Sequence, residues 1–229
     1  MMKNNIKELV KQTVTFYEEM KAEPHGRYLS WEHCYEAFTA ARARVINSDD
    51  VKYLCLHLSF YLASWGMYRG SSFLLKKDYL VHEKAVRIIL EKKYDDLHGI
   101  VCKDYDDSHL DLLFDLVRRL REEYQSIRGK VKGDVSMKAS DTLISKILLG
   151  TLGCTPAYDR FFIAGVKEEQ VATGGLSRTS IKQLCNHYMQ YESEYESFRR
   201  TAYLKYAGWY PQMKILDMAF WKRGNVQSK

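Results

Sequence analysis

The sequence has only three prolines and no stretch of regular polar–apolar alternation. Period-two alternation between turn residues is the signature of half-buried strands, so an all-β fold is excluded. Apolar residues instead recur at helical spacing, as at Ile6, Leu9, Val10 and Tyr17. We therefore predict one all-α domain, residues 1–229, of roughly eight or nine helices.

The helical pattern also predicts the place of particular segments. Residues 51–65 are apolar almost all round, which is typical of a helix at the centre of a domain. A long helix is predicted over residues 181–207, ended by Gly208. A boundary between two helical lobes would fall near residues 129–140, where glycines interrupt a basic stretch.

Cysteines are few and scattered. The five of them form no CxxC pair, and neighbouring histidines do not stand at zinc-finger spacing. Reduced thiols are therefore expected, and neither a structural metal nor a cofactor is predicted.

Long hydrophobic runs are also missing. No apolar run reaches the roughly 18 residues that a membrane span needs, and the N-terminal residues lack the apolar core of a signal peptide. These absences predict a soluble, cytoplasmic protein without a membrane partner. Nothing in the sequence indicates an oligomeric state.

Common catalytic motifs are absent as well. The chain contains no GxSxG, no P-loop, no GxGxxG and no HExxH, so conventional hydrolase, kinase and dehydrogenase functions have no support. The net charge of +6 and the 17 tyrosines permit a polyanionic partner such as DNA without requiring one.

Three cations are the candidate phosphate ligands. Lys130 and Lys132 stand in a basic, glycine-containing stretch that we predict to be a loop. Arg69 precedes Ser71 and Ser72, either of which could open a helix whose free N–H groups would bind an anion. Alternatively, Arg69 caps the carbonyl groups of a neighbouring helix.

The most apolar segment of the chain, residues 142–162, carries the candidate catalytic groups. An apolar helix containing Lys146 is followed by a small turn, and Asp159 comes directly before a further aromatic-rich segment. The spacing also allows purely structural roles for both residues. Asp159 would then cap the next helix, and Lys146 would extend to solvent or form an ion pair.

The order of these residues resembles part of the helix-hairpin-helix DNA glycosylases, and most of all helical relatives of the 8-oxoguanine glycosylases. The matching pieces are Ser145 with Lys146, the run from Pro156 to Asp159, and Lys214 to Met218 followed by Trp221. The resemblance implies that Asp159 is the catalytic carboxylate and that Lys146 assists it. It covers only part of the chain, and residues 129–140 stand where such proteins carry a glycine-rich hairpin.

Two other functions remain open. One is a helical interaction protein without chemistry, of the kind encoded in mobile-element or defence loci. The other is a ribonuclease resembling the all-α HEPN family, whose Arg-x(4–6)-His pattern is met by Arg27 and His33.

Overall fold

The computed structural model describes residues 2–132 and 139–226, with side chains described for residues 6–131 and 139–225. Within these ranges the chain is mostly helical, with two strands of two residues each, which confirms the all-α prediction. Ten α-helices follow one another: α1 (Met2–Ala22), α2 (Ser30–Arg42), α3 (Ser48–Ser64), α4 (Glu83–Ile89), α5 (Asp107–Lys132), α6 (Asp141–Thr151), α7 (Arg160–Glu168), α8 (Arg178–Gln190), α9 (Glu192–Arg199) and α10 (Gln212–Val226).

Short 3-10 helices fill several connections between them: Arg27–Leu29, Phe73–Lys76, Tyr79–His82, Lys92–Leu97 and Cys102–Asp104. The predicted helix over residues 181–207 is wrong beyond Arg199. Its C-terminal part is a small antiparallel hairpin of β1 (Tyr203–Leu204) and β2 (Gly208–Trp209). Gly208 adopts a positive φ of 75°, which a tight turn needs, and the flanking aromatic residues favour strands.

The predicted loop at residues 129–140 is also wrong at its start. Helix α5 continues through Gly129 and Lys130 to Lys132, and residues 133–138 lie outside the described ranges. A glycine inside a helix costs only about 1 kcal/mol, which the packing of a long amphipathic helix offsets.

Helix α6 lies at the centre of the domain. Every residue from Leu143 to Thr151 is buried, and the helix packs against α2, α3 and α5. Core residues from both sides of residues 129–140 belong to one continuous hydrophobic cluster.

Helix α3 is not fully enclosed, contrary to the prediction. Its Leu54 and Leu58 are buried, whereas Tyr53, Leu56 and Phe60 are 53%, 49% and 61% exposed. Hydrophobic content showed that both faces are apolar, but only neighbouring elements decide which face is covered, and they cover one side of α3.

Helices α7 and α10 make the closest helix–helix contact of the fold. A β-carbon at Gly165 of α7 would overlap the carbonyl oxygen of Phe220, and one at Gly224 of α10 would overlap that of Phe161. The two glycines therefore let the helix backbones touch. This contact sets the position of α10 beneath the site described below.

In the described ranges, no helix combines the length and the hydrophobicity that crossing a bilayer requires. All five cysteines lie in these ranges, and each is buried and free of a disulfide.

Burial of histidines makes the fold sensitive to acid. His82 is fully buried, with Nε2 2.8 Å from the Tyr68 hydroxyl and Nδ1 2.7 Å from the Tyr124 hydroxyl. Burial lowers the pKa of His82 to about 3. Because this folded-state pKa is below the ordinary value of about 6.5, the stabilisation is complete above pH 6.5 and is lost as the pH falls towards 3.

We expect the free energy of unfolding to fall by about 2 kcal/mol between about pH 7 and pH 5 through His82 alone. Urea denaturation of the wild type and of His82→Gln at both pH values checks this. The variant should lose that part of the pH dependence, whereas the control His25→Gln, at an exposed position, should keep it. Equal pH dependence in the wild type and His82→Gln would contradict the assignment.

Candidate functional site

Lys146 lies in the interior, near the middle of α6. Ser140 caps this helix by accepting a hydrogen bond from the Leu143 N–H, which fixes where α6 begins. The Lys146 side chain is 4% exposed, and its Nζ donates to the Trp65 carbonyl oxygen at 3.3 Å. The same ammonium lies 5.1 Å from the centre of the Trp65 ring, a cation–π contact.

Asp159 is the direct partner of Lys146. Its Oδ2 lies 3.2 Å from Lys146 Nζ, and its Oδ1 accepts hydrogen bonds from the Phe161 and Phe162 N–H groups, both at 3.1 Å. Asp159 is therefore the N-cap of α7, and Lys146 is ion-paired, so both structural roles expected from the sequence are confirmed. The Asp159 side chain retains 14% exposure.

The surroundings of Lys146 lower the pKa of its side chain. Burial lowers the pKa of Lys146, and the neighbouring Asp159 only partly counteracts this. A buried ammonium in contact with one carboxylate, one carbonyl and one indole ring can thus lose its proton more readily than a surface lysine.

The segment leading into Asp159 is held on two sides. The Tyr158 N–H donates to the Ser145 hydroxyl at 2.8 Å, and the Tyr158 carbonyl accepts from Thr142 Oγ1 at 2.8 Å. The Ala157 N–H donates to Asp217 Oδ1 of α10 at 2.9 Å. These bonds fix the position of the Asp159 carboxylate relative to α6 and α10.

A second buried lysine–aspartate pair lies beside the first, and sequence reasoning missed it as a pair. Lys214 Nζ lies 2.9 Å from Asp217 Oδ2, and the two side chains are 3% and 5% exposed. Lys214 Nζ also lies 5.0 Å from the Trp31 ring centre and 5.5 Å from that of Trp65. The three-residue spacing on one helix was the signal available in the sequence.

Arg69 lines a cavity of about 520 Å³ next to this cluster. Arg128 of α5, Ser140 and Leu143 line the same cavity. The helix expected after Arg69 is only the 3-10 helix Phe73–Lys76, capped by Ser72. Because so short a helix offers little dipole, an anion here would be bound by the two guanidinium groups rather than by a helix start.

Lys130 does not share the Arg69 cavity. It lines a separate cavity of about 430 Å³ with Lys77, Lys84 and Arg87. Glu123 pairs with Lys84, and Glu83 pairs with Arg87, so part of this charge is neutralised. Lys132 is the last residue of α5, and its side chain lies outside the described side chains.

The lysine–aspartate pair and the Arg69 cavity are neighbours without being one space. Leu143, which lines the cavity, precedes Lys146 on α6 by about one helical turn. Gly66, also in the lining, directly follows Trp65, whose carbonyl binds Lys146. Lys146 and Asp159 line neither the Arg69 cavity nor any of four further cavities of 240 to 660 Å³ among the described residues.

Arg27 and His33 have different surroundings. Arg27 donates to the Tyr28 hydroxyl at 3.1 Å and lies over the Tyr28 ring. His33 lines a groove between α2 and α3 with His57, and Arg27 is not part of that lining. The described histidine, cysteine, aspartate and glutamate side chains form no group of three able to hold a metal ion.

Comparison with known proteins identifies no relative of this chain. No family model, no curated protein and no solved structure matches the chain, so a function must be inferred from the lysine–aspartate pair and the basic cavity beside it.

Proposed function

We propose that this protein binds nucleic acid at the Arg69 cavity and excises a base with the adjoining Lys146–Asp159 pair, as a helical DNA-glycosylase-like enzyme. The observation that carries the proposal is the 3.2 Å contact between Lys146 Nζ and Asp159 Oδ2, about one turn of α6 from Leu143, which lines a cavity with two arginines. The sequence resemblance names the same two residues.

The basic cavity supports the binding step. Arg69 is exposed and lines the cavity together with Arg128, so the cavity carries positive charge that suits a phosphate. Lys130 on the neighbouring cavity extends the basic surface along the end of α5. Phosphate contacts of this kind supply most of the affinity for nucleic acid and position it without reading its sequence.

The geometry of Asp159 supports the chemical step. Positive charge builds up on the sugar as a base departs, and a fixed carboxylate stabilises that charge. The α7 N–H groups hold Asp159 in place, so it needs no reorganisation. Burial lowers the pKa of Lys146, which lies beside this carboxylate.

Access to the carboxylate is the further requirement of the proposal. An extruded nucleotide needs a pocket of its own. Asp159 does not line the Arg69 cavity, so the proposal requires the side chains between them to move when nucleic acid binds.

Base excision is tested with duplexes that each contain one oxidised, deaminated or alkylated base. Alkaline cleavage of the resulting abasic site is the readout. A time-dependent, single-site product with the wild type supports the proposal. No product with any of these substrates would overturn the enzymatic part and leave only binding.

Binding is tested with Arg69→Glu. Reversing this charge should weaken binding to a DNA duplex by about tenfold or more and lower the slope of log affinity against log salt by about 1 or more. Fluorescence anisotropy over a range of salt concentrations measures both quantities.

The matched control is Arg200→Glu. Arg200 is an exposed arginine that lines a different cavity together with Glu192 and Glu196. This variant makes the same change in net charge, so it should retain most of the affinity. An equal loss in both variants would show that only overall charge matters and would refute a site at Arg69.

A non-enzymatic interaction protein is the second candidate function. The observation that favours it is the exposed apolar surface of α3, where Leu56 and Phe60 are 49% and 61% exposed. It replaces the first candidate if the excision assay is blank and Arg69→Glu binds DNA as the wild type does.

A further inference from the structure

A groove between α2 and α3 is lined by small apolar and aromatic side chains. We call it the α2–α3 groove; its volume is about 240 Å³. Ala37 and Ala40 of α2 and the buried Leu54 of α3 belong to its lining. Tyr53 of α3 and Tyr206 of the β1–β2 turn line it as well.

The two tyrosines are unusually exposed for residues that line an apolar groove. Tyr53 is 53% and Tyr206 is 63% exposed. The Tyr206 N–H donates to Glu36 Oε1 of α2 at 2.9 Å, so the hairpin turn is tied to the groove and Tyr206 is held beside it. Exposed aromatic rings beside apolar side chains are suited to stacking on another ring.

The arginine that lines the groove is already paired. Arg44 binds Asp50 through two hydrogen bonds, of 2.9 and 2.6 Å, at one end. His33 and His57 line the groove as well. Burial, with a smaller contribution from His33, lowers the pKa of His57, which favours the neutral form of this ring. A neutral imidazole can both donate and accept a hydrogen bond.

A free phosphate fits this groove poorly, because its arginine is already paired. A planar ligand with apolar faces and a neutral polar edge fits well, and a nucleobase has this chemistry. Lys205, whose Nζ lies 4.8 Å from the Tyr206 ring centre, is exposed and could meet the phosphate attached to such a base.

We infer that the α2–α3 groove binds a nucleobase of single-stranded nucleic acid between Tyr53 and Tyr206. The inference rests on the nucleic-acid partner of the proposed function but not on its excision chemistry. It adds a contact to the bases, whereas the Arg69 cavity contacts phosphates.

The test compares two labelled strands of about 12 nucleotides. One is an oligodeoxyadenylate and the other is an abasic strand of equal length. The wild type should bind the strand with bases about tenfold more tightly. Tyr53→Ala and Tyr206→Ala should each weaken binding of that strand by about tenfold and leave the abasic strand unaffected, since stacking on one aromatic ring is worth about this factor.

Phe60→Ala and Tyr203→Ala are the matched controls. Both remove an exposed aromatic ring, 61% exposed in each case, and neither residue lines the groove. Both should bind the two strands as the wild type does, and circular dichroism should show all four variants folded. No loss in Tyr53→Ala and Tyr206→Ala, or an equal loss for the abasic strand, would overturn the inference while the phosphate site at Arg69 stands.

A separate titration distinguishes failure of the α2–α3 groove assignment from failure of the proposed function. If the wild type binds neither strand even at low salt, adenosine is titrated alone. Adenosine binding that disappears in Tyr53→Ala would support the groove without the phosphate site. No adenosine binding, or tighter binding of a blocked tyrosine amide than of adenosine, would overturn the groove assignment in favour of no ligand or of a protein side chain.

Discussion

Replacing Asp159 by asparagine is expected to reduce single-turnover base excision by a factor of about 100 or more, because it removes the charge that stabilises the departing transition state. The same change should lower stability by about 3 kcal/mol. Asparagine keeps the N-cap, but Lys146, only 4% exposed, loses its carboxylate partner. Excision assays and urea denaturation of the purified variant measure the two effects separately.

The double variant Lys146→Met with Asp159→Asn separates catalysis from folding. It removes both charges and keeps a side chain of similar size at residue 146, so most of the lost stability should return. Excision should remain lost. Recovery of excision together with stability would show that Asp159→Asn acted through the fold and would refute a catalytic role.

Replacing Gly165 by alanine is expected to destabilise the fold by about 3 kcal/mol or more, despite the better helix propensity of alanine. The added β-carbon would overlap the carbonyl oxygen of Phe220, and neither helix backbone can give way without moving α10. In a chain of this length the melting temperature should fall by roughly 10 °C. Thermal denaturation followed by circular dichroism measures the change.

Gly175→Ala is the control for this prediction. A β-carbon at Gly175 would meet nothing within 4 Å, and this residue does not have a positive φ. The substitution should change stability by less than about 1 kcal/mol. If the melting temperature of Gly165→Ala equals that of the wild type, α7 and α10 do not touch through this glycine.

The parts of the fold that the sequence predicted correctly follow from patterns among residues close together in the chain. The pattern of apolar residues predicted α1 and α6, and an aspartate before an aromatic-rich segment predicted the cap at Asp159. Both depend on residues within one or two turns of each other. The same local logic failed at Gly129, because the packing of α5 on the core outweighs the cost of one glycine.

Contacts between distant segments could not be predicted in this way. The exposure of Tyr53 and Phe60 depends on which elements lie over α3, and the hairpin that places Tyr206 at the groove replaced a predicted helix. The contact of Lys146 with Asp159 needed the position of α6 relative to the start of α7. The second pair, Lys214 with Asp217, lies beside two tryptophan rings that come much earlier in the chain, so its surroundings could not be predicted from local spacing.

The contacts that position the lysine–aspartate pair join residues far apart in the sequence. This separation affects when the site forms during folding. The bond from Lys146 to Trp65 spans 81 residues, and the bond from Ala157 to Asp217 spans 60. Contacts of such separation form only after long loops have closed, so they come late in folding. During synthesis the growing chain holds Lys146 and Asp159 well before α10 emerges. A nascent or C-terminally truncated protein therefore has both candidate catalytic residues without the support that positions them.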